Sequence, residues 1–313
     1  KAALRRKTVT DGIINVYKEK GYTSHDVVAK LRGILHQKKI GHTGTLDPDA
    51  TGVLPVCLGK ATKVCELLTD KKKTYLAVVR LGVQTDTQDL TGTILEEKEV
   101  KVTEEQIRET TASFLGDYEQ IPPMYSAVKV NGKRLYELAR QGKEVERKAR
   151  RVHIYTCDIR DIALAKNEFS MEVTCSKGTY IRTLCQDIGE KLGCGAAMAS
   201  LVRTQVDRFQ LEDALTLERI EALQKENELK PFILPVDQLF EYYDKIVVAD
   251  KAICYLQNGN KINAGFCQGN IPGEDGKKVR MYDTKDRFYA IYRWDAGQNV
   301  FVNDKMFFPH TEA

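Results

Sequence analysis

Two hydrophobic periods alternate along the chain and mark out its elements. "DGIINVYK" (11–18) reads as a strand. Beyond it, Val27, Val28, Leu31 and Leu35 form one apolar stripe at helical spacing, so "HDVVAKLRGIL" is expected to be a helix with Ser24 as its N-cap. "KTYLAVVRLG" puts Tyr75, Ala77, Val79 and Leu81 on one face, the period of a strand. "TEEQIRETTASFLG" opens with Thr103 and Gln106 in capping-box spacing and is expected to run as a helix to Gly116. "EFSMEVTC" sets Phe169, Met171, Val173 and Cys175 against polar alternates, a half-buried strand. After the turn "SKGTY", a helix over "IRTLCQDIGEKLG" would face Ile181, Leu184, Cys185, Ile188 and Leu192 inward. No regular βαβ rhythm links these elements, which favours an α+β fold over a doubly wound sheet. "EALQKENELKPFILPVDQLF" carries two prolines and a charge run, and the texture changes after it. From about residue 244, short strand-like runs ("KIVVAD", "VRMYDT", "FYAIYRWD", "VFVND") are separated by Gly, Asn and Asp turns. The expected organisation is a basic arm at 1–10, a main domain at 11–240 and a small β-rich domain at 244–313.

Composition narrows this picture only a little. The 313 residues suffice for a large domain and a small one. A net charge of +4 permits a polyanionic partner without demanding one. The eight cysteines show no C-x-x-C spacing and mostly sit inside apolar patterns, so they read as buried, reduced thiols rather than disulfides or metal ligands. No apolar run approaches membrane-spanning length and no signal peptide is visible, so the expectation is a cytoplasmic protein.

The candidate chemistry lies in "GHTGTLDPDATGVL" (41–54). Gly41 and Gly44 permit backbone conformations closed to other residues, and Pro48 pushes Asp47 toward an extended pose. A short carboxylate held on such a segment can be aimed at a reacting atom. The commoner meaning of an Asp-Pro pair is a turn with a solvated acid, and the loop alone does not exclude it. A phosphate-binding loop is excluded by spacing. Six residues separate Gly52 from Gly59, and Lys60 is followed by Ala61 rather than Ser or Thr.

Six collinear blocks spanning residues 12 to about 240 carry a family resemblance. They are "KGYTSHDVV", "GHTGTLDPDATGVLPVCLGKATK", "KTYLAVVRLGVQTDTQDLTG", "PPMYSAVKVNGKRLYELAR", "CSKGTYIRTLCQDIG" and "LVRTQVDRFQLEDAL". In this order they resemble the TruB family of tRNA pseudouridine synthases. Glu19 and Asp207 depart from the family pattern, which has proline and glycine there.

The resemblance implies a pseudouridine synthase fold: a mixed, largely antiparallel central sheet flanked by helices and loops, followed by a PUA-like RNA-binding domain. It implies isomerisation of the T-loop uridine at tRNA position 55. The C1′–N1 glycosidic bond breaks, the base turns, and it rejoins through C5, without metal, redox cofactor or energy source. By the resemblance, Asp47 is the catalytic carboxylate, as nucleophile or as base at the ribose. Tyr75 stacks on the flipped base and serves proton transfer at C5, and Arg182 pairs with the acid and keeps it ionised. His42 enters the RNA stack, while Lys18, Tyr180 and Leu201 border the pocket. Taken singly, these residues have plainer meanings: a core tyrosine, a surface arginine, a structural histidine. Lys60 and Lys63, Lys71 to Lys73, and Arg147 to Arg151 are candidates for gripping phosphates. The expected partner is the tRNA T-arm, with no membrane, no required protein partner and a monomeric enzyme. A tRNA-binding and folding module with secondary catalysis is the alternative.

Overall fold

The computed structural model describes residues 10–130 and 132–307. The expected arm at 1–10 therefore lies almost wholly outside the described residues. Strands β1 (Gly12–Lys18), β2 (Ile40–His42), β3 (Thr51–Leu58) and β4 (Lys73–Leu81) open the chain. A short hairpin, β5 (Val83–Thr85) with β6 (Ile94–Glu97), precedes β7 (Gly116–Gln120). A second hairpin, β8 (Lys129–Val130) with β9 (Lys133–Arg134), leads to β10 (Arg150–Ala163), β11 (Glu168–Cys175), β12 (Ala196–Val206), β13 (Phe209–Gln210) and β14 (Ile233–Leu234). One sheet runs β14-β1-β3-β12-β4-β11-β10-β7, with β2 beside β3 and β13 beside β12. Its described pairs are antiparallel except β12 with β3. The fold is α+β, as expected.

Helices α1 (Ser24–Leu35), α2 (Cys65–Thr69), α3 (Glu104–Ala112), α4 (Leu135–Ala139), α5 (Ile181–Lys191) and α6 (Leu217–Glu226) cover this sheet. Ile181, Leu184, Cys185 and Ile188 of α5 and Ile107 of α3 pack on Ala77, Val79, Met171 and Val173. Helices α1 and α6 pack on Leu54, Val56 and Leu58 of β3. The alternate β3 residues Val53 and Cys57 face a third cluster, so β3 is buried on both sides. That double burial explains its nearly continuous apolar run.

The remaining strands, β15 (Asp244–Val248), β16 (Ile262–Asn263), β17 (Cys267–Gly269), β18 (Lys278–Asp283), β19 (Phe288–Asp295) and β20 (Val300–Met306), form a separate six-stranded sheet. It has its own core around Tyr289, Tyr292 and Phe301. Ile291 and Phe307 of this β-rich unit join Val206, Phe209, Val236 and Phe240 in the third cluster. The two units thus share apolar contacts.

Three local expectations need correction. The N-cap of α1 is Thr23, whose hydroxyl accepts from Asp26 N at 3.1 Å. The Ser24 hydroxyl is taken instead by the backbone N–H of Leu46, at 2.9 Å. The helix from Thr103 ends at Ala112, and Gly116 opens the next strand with φ +89. Cys254 is exposed rather than buried. The sequence also hid two long strands, β10 and β12. Register shifts at Ile154/Thr156 and Ile159/Asp161 in β10, and at Met198/Ser200 and Arg203/Gln205 in β12, break the period of two.

Asp207 occupies the β12–β13 turn with φ +51, a left-handed conformation that favours glycine. Its ion pair with Lys71 is 3.7 Å long and a third exposed on each side, and such a pair contributes little. Asp207→Gly should therefore raise the urea unfolding midpoint or leave it unchanged, a gain of at most about 1 kcal/mol. Asp207→Val should cost about 1–2 kcal/mol. A lower midpoint for Asp207→Gly would assign the turn to the ion pair instead.

Candidate active site

The segment between β2 and β3 carries Asp47, and it is tied down along its length. Thr43 closes its start, with N and Oγ1 donating to Pro55 O at 3.2 and 3.0 Å. Leu46 is buried and held by Ser24. Ala50 N donates to Asp47 O at 3.1 Å, and Gly21 N to Pro48 O at 2.9 Å. Beneath the loop, the fully buried Lys18 donates to Ala50 O at 2.6 Å and to Pro48 O and Glu19 O at 3.1 Å. Burial pushes its ammonium down to about 8, against the opposing pull of Asp47 and Asp49. Lys18 thus supports the Asp47 loop and is not among the described residues lining the cavity. Among the described residues, Glu19 enters this network through its backbone carbonyl.

Arg182 sits in the first turn of α5, buried rather than solvated. Its Nε stands 3.0 Å from Asp47 Oδ2. Nη1 donates to Thr87 O at 2.9 Å and lies 3.8 Å from Asp89, while Nη2 donates to Tyr125 O at 2.8 Å. The "TDTQDLTG" segment shapes this receptor. Asp89 Oδ1 accepts from Thr87 Oγ1 at 2.7 Å, Thr91 Oγ1 at 2.6 Å and Thr91 N at 3.0 Å. Gln88, at φ +65, receives the Thr183 hydroxyl at 2.8 Å.

The Asp47 side chain keeps 43% of its surface open to the cleft, yet protein encloses it on the remaining sides. Burial raises its carboxyl above the usual range, Arg182 pulls it down and Asp89 pushes it up. Arg182 thus favours the charged form against burial and Asp89, and the net direction is upward.

A cavity of about 530 Å³ opens over this pair. Asp47, Tyr75, Tyr180, Arg182 and Leu201 all line it. Five of the seven expected site residues, drawn from four separate blocks, thus meet in one place. Tyr75 is nearly buried on β4, and burial raises its phenol to about 12. Tyr180 precedes α5, and Gln120 clasps its backbone from both sides: Tyr180 N donates to Oε1 at 2.8 Å and Nε2 donates to Tyr180 O at 3.0 Å. Leu201 supplies apolar wall from β12.

His42 lies elsewhere. It is half-buried on β2, its ring edge-on to His25 with centroids 5.3 Å apart, and burial lowers its pKa toward the neutral form. It is outside the described lining. Lys73 and Arg203 line the cavity without having been read as pocket residues. Arg203 had a usable signal, since a period of two from Leu201 puts both on one strand face.

The phosphate candidates differ in placement. Arg150 and Arg151 border the cavity beside Lys177. Lys73 is buried, donating to Thr69 O and Lys71 O at 2.8 Å. Lys60 faces Asp11 at 3.2 Å, and Lys63 donates to Met306 O at 2.6 Å.

Lys18→Met should loosen the loop at its base, leaving Ala50 O and Glu19 O without this donor. The expected cost is about 1–3 kcal/mol, read as a lower urea midpoint at unchanged slope. An unchanged midpoint would mean that the three carbonyl contacts do not hold the loop.

Residues 32–181 match the TruB family pseudouridylate synthase (N terminal domain), and residues 182–241 match the tRNA pseudouridylate synthase B C-terminal domain. A tRNA pseudouridine synthase B of Lachnoclostridium phytofermentans is 53% identical over 95% of this chain and 99% of its own. That of Clostridioides difficile is 43% identical over 94% and 99%. Among solved structures, an H/ACA RNP bound to a substrate RNA containing 2′-deoxyuridine matches at TM-score 0.69 and 26% identity, over 96% of this chain and 86% of that one. A Cbf5-Nop10-Gar1 complex matches at TM-score 0.69 and 28% identity, over 95% and 85%. The six sequence blocks, the sheet and the converging site are those of one lineage: the chain belongs to the TruB family of tRNA pseudouridine synthases.

Proposed function

We propose that the cavity over Asp47 isomerises the T-loop uridine at tRNA position 55 to pseudouridine, with the base flipped out of the RNA stack. The observation that carries this reading is the Asp47–Arg182 contact at 3.0 Å, sharing one cavity with Tyr75. As the C1′–N1 bond breaks, positive charge builds at C1′, and a carboxylate is the side chain suited to meet it. Asp47 fills this role as nucleophile or as base at the ribose. Tyr75 and Leu201 present faces for a planar base, and the Tyr75 hydroxyl serves the proton that leaves C5. Arg182 orients the acid and opposes its protonation. No helix of the described residues is long and apolar enough to cross a membrane.

Arg150, Arg151 and Lys177 at the mouth supply cations for the T-arm phosphates. The β-rich unit of residues 244–306 extends the RNA surface. The T-arm grip and the catalytic groups belong to one chain, which supports action as a monomer without a protein partner.

The test uses purified protein alone and an unmodified tRNA transcript carrying tritium at C5 of uridine. Release of tritium from the T-loop position is expected, with Asp47→Asn reducing it by about a thousandfold or more. Tight tRNA binding without release would establish a folding module instead. Full activity in Asp47→Asn would remove Asp47 from the mechanism.

Acidity gives a second test. The carboxyl of Asp47 is raised, so its ionised fraction falls at a higher pH than that of an ordinary carboxylate, near 4. The acid limb of the single-turnover rate should lie above that value. Arg182→Met removes the cation that favours the charged form, so the limb should move to still higher pH as well as losing amplitude. A limb left in place would disconnect Arg182 from the ionisation of Asp47.

A further inference from the structure

Arg203 is the largest fully buried side chain among the described residues, 1% exposed. It stands where three strands of the site meet: opposite Tyr75 in the β12–β4 ladder and opposite Gly52 in the β12–β3 ladder. Gly52, at φ +107, comes so close that a Cβ there would overlap the Arg203 backbone. From this junction the guanidinium reaches both ends of the Asp47 loop. Nε donates to Val53 O at 2.7 Å, and Nη2 to Gly44 O at 3.3 Å. Nη1 is buried and makes no full hydrogen bond. It lies 3.7 Å from where a Cβ on Gly44 would be, beside Lys73. The cation and the Tyr75 phenol are close enough that each favours the charged form of the other.

Burying a guanidinium with one nitrogen unpaired is costly, and an apolar side chain would fill the same volume more stably. Tolerance of that cost points to a role in the site. With 1% of its surface exposed, Arg203 does not reach an RNA phosphate. Its direct cross-strand neighbour is Tyr75, the aromatic wall of the cavity.

We propose that Arg203 is a positioning residue for the isomerisation, acting through Tyr75: it sets the tyrosine phenol against the flipped base and registers it to the two ends of the Asp47 loop. This role rests on the functional reading given above. A lysine at the same position retains a charge but loses the fork that reaches both loop carbonyls together.

The test is a double-mutant cycle on the single-turnover rate, with enzyme in excess over tRNA. Arg203→Lys and Arg203→Met are combined with Tyr75→Phe, and tRNA affinity is measured in the Asp47→Asn background. Arg203→Lys should slow the wild-type reaction at least about tenfold, with Kd changed less than about twofold. In the Tyr75→Phe protein the same change should slow it less than about threefold further. Additive losses, a matching loss of affinity, or an unchanged rate per folded molecule would overturn the proposal. If neither Arg203 variant folds, the Tyr75→Phe protein carries the test through the Arg203 Nε–Hε resonance. A shift on loss of the hydroxyl supports the contact, and an unmoved resonance overturns it. Absence of turnover by the wild-type protein overturns the functional reading together with this role, whereas an additive cycle in an active enzyme overturns the role of Arg203 alone.

Discussion

The 3.0 Å contact between Asp47 and Arg182 is the constraint to which the rest of the site answers. A carboxylate enclosed by protein tends toward its neutral form, and a neutral acid neither attacks nor deprotonates a sugar. A cation beside it opposes that tendency but also attracts the acid and competes for its oxygens. The structure limits that competition by occupying the other guanidinium nitrogens, which are engaged by Thr87 O and Tyr125 O. One edge of Arg182 is thereby left for Asp47, which it meets at Oδ2.

The same device recurs around the loop. Lys18, Arg182 and Arg203 are all buried, and each directs its donors largely at backbone carbonyls. Carbonyls carry no net charge, so these contacts grip loops without engaging the acid, which Arg182 meets through Nε. They also join segments distant in sequence: β1 to the loop after Asp47, α5 to the segments around Thr87 and Tyr125, and β12 to Gly44 and Val53. The geometry of the site is held by ties that buried side chains make to backbone carbonyls, and the Arg203 tie lies where β12 runs parallel to β3.

This arrangement explains what the sequence disclosed. Strands β4 and β11 and helices α1 and α5 were legible because their buried faces keep a strict period. Strands β10 and β12 were not, because bulges interrupt theirs. Asp47, Tyr75 and Arg182 were legible through the collinear blocks rather than through local chemistry. Alone, Asp47 was a turn residue and Arg182 a surface charge. Lys18 was placed at the pocket, but its burial under the loop depends on Pro48 and Ala50, thirty or more residues away, which no local pattern encodes. Ser24 shows the same limit. Its position suits an N-cap, yet its hydroxyl serves Leu46, and Thr23 caps the helix instead. Tertiary contacts reassigned these side chains without changing the elements that carry them.

The division of cations between interior and rim has a consequence for RNA. Buried cations are engaged by carbonyls or by Asp47 and are shielded from salt. Rim cations are held by weaker, exposed partners: Arg151 by Asp117, and Lys177 by Asp70 at 2.7 Å. An incoming phosphate can replace such a partner at little cost, because an exposed pair contributes little in the free protein. On the proposed reading RNA trades such surface pairs on binding, while the ties around Asp47 are already made in the free chain. Affinity should follow ionic strength while the chemical step does not, since the two depend on different sets of charges.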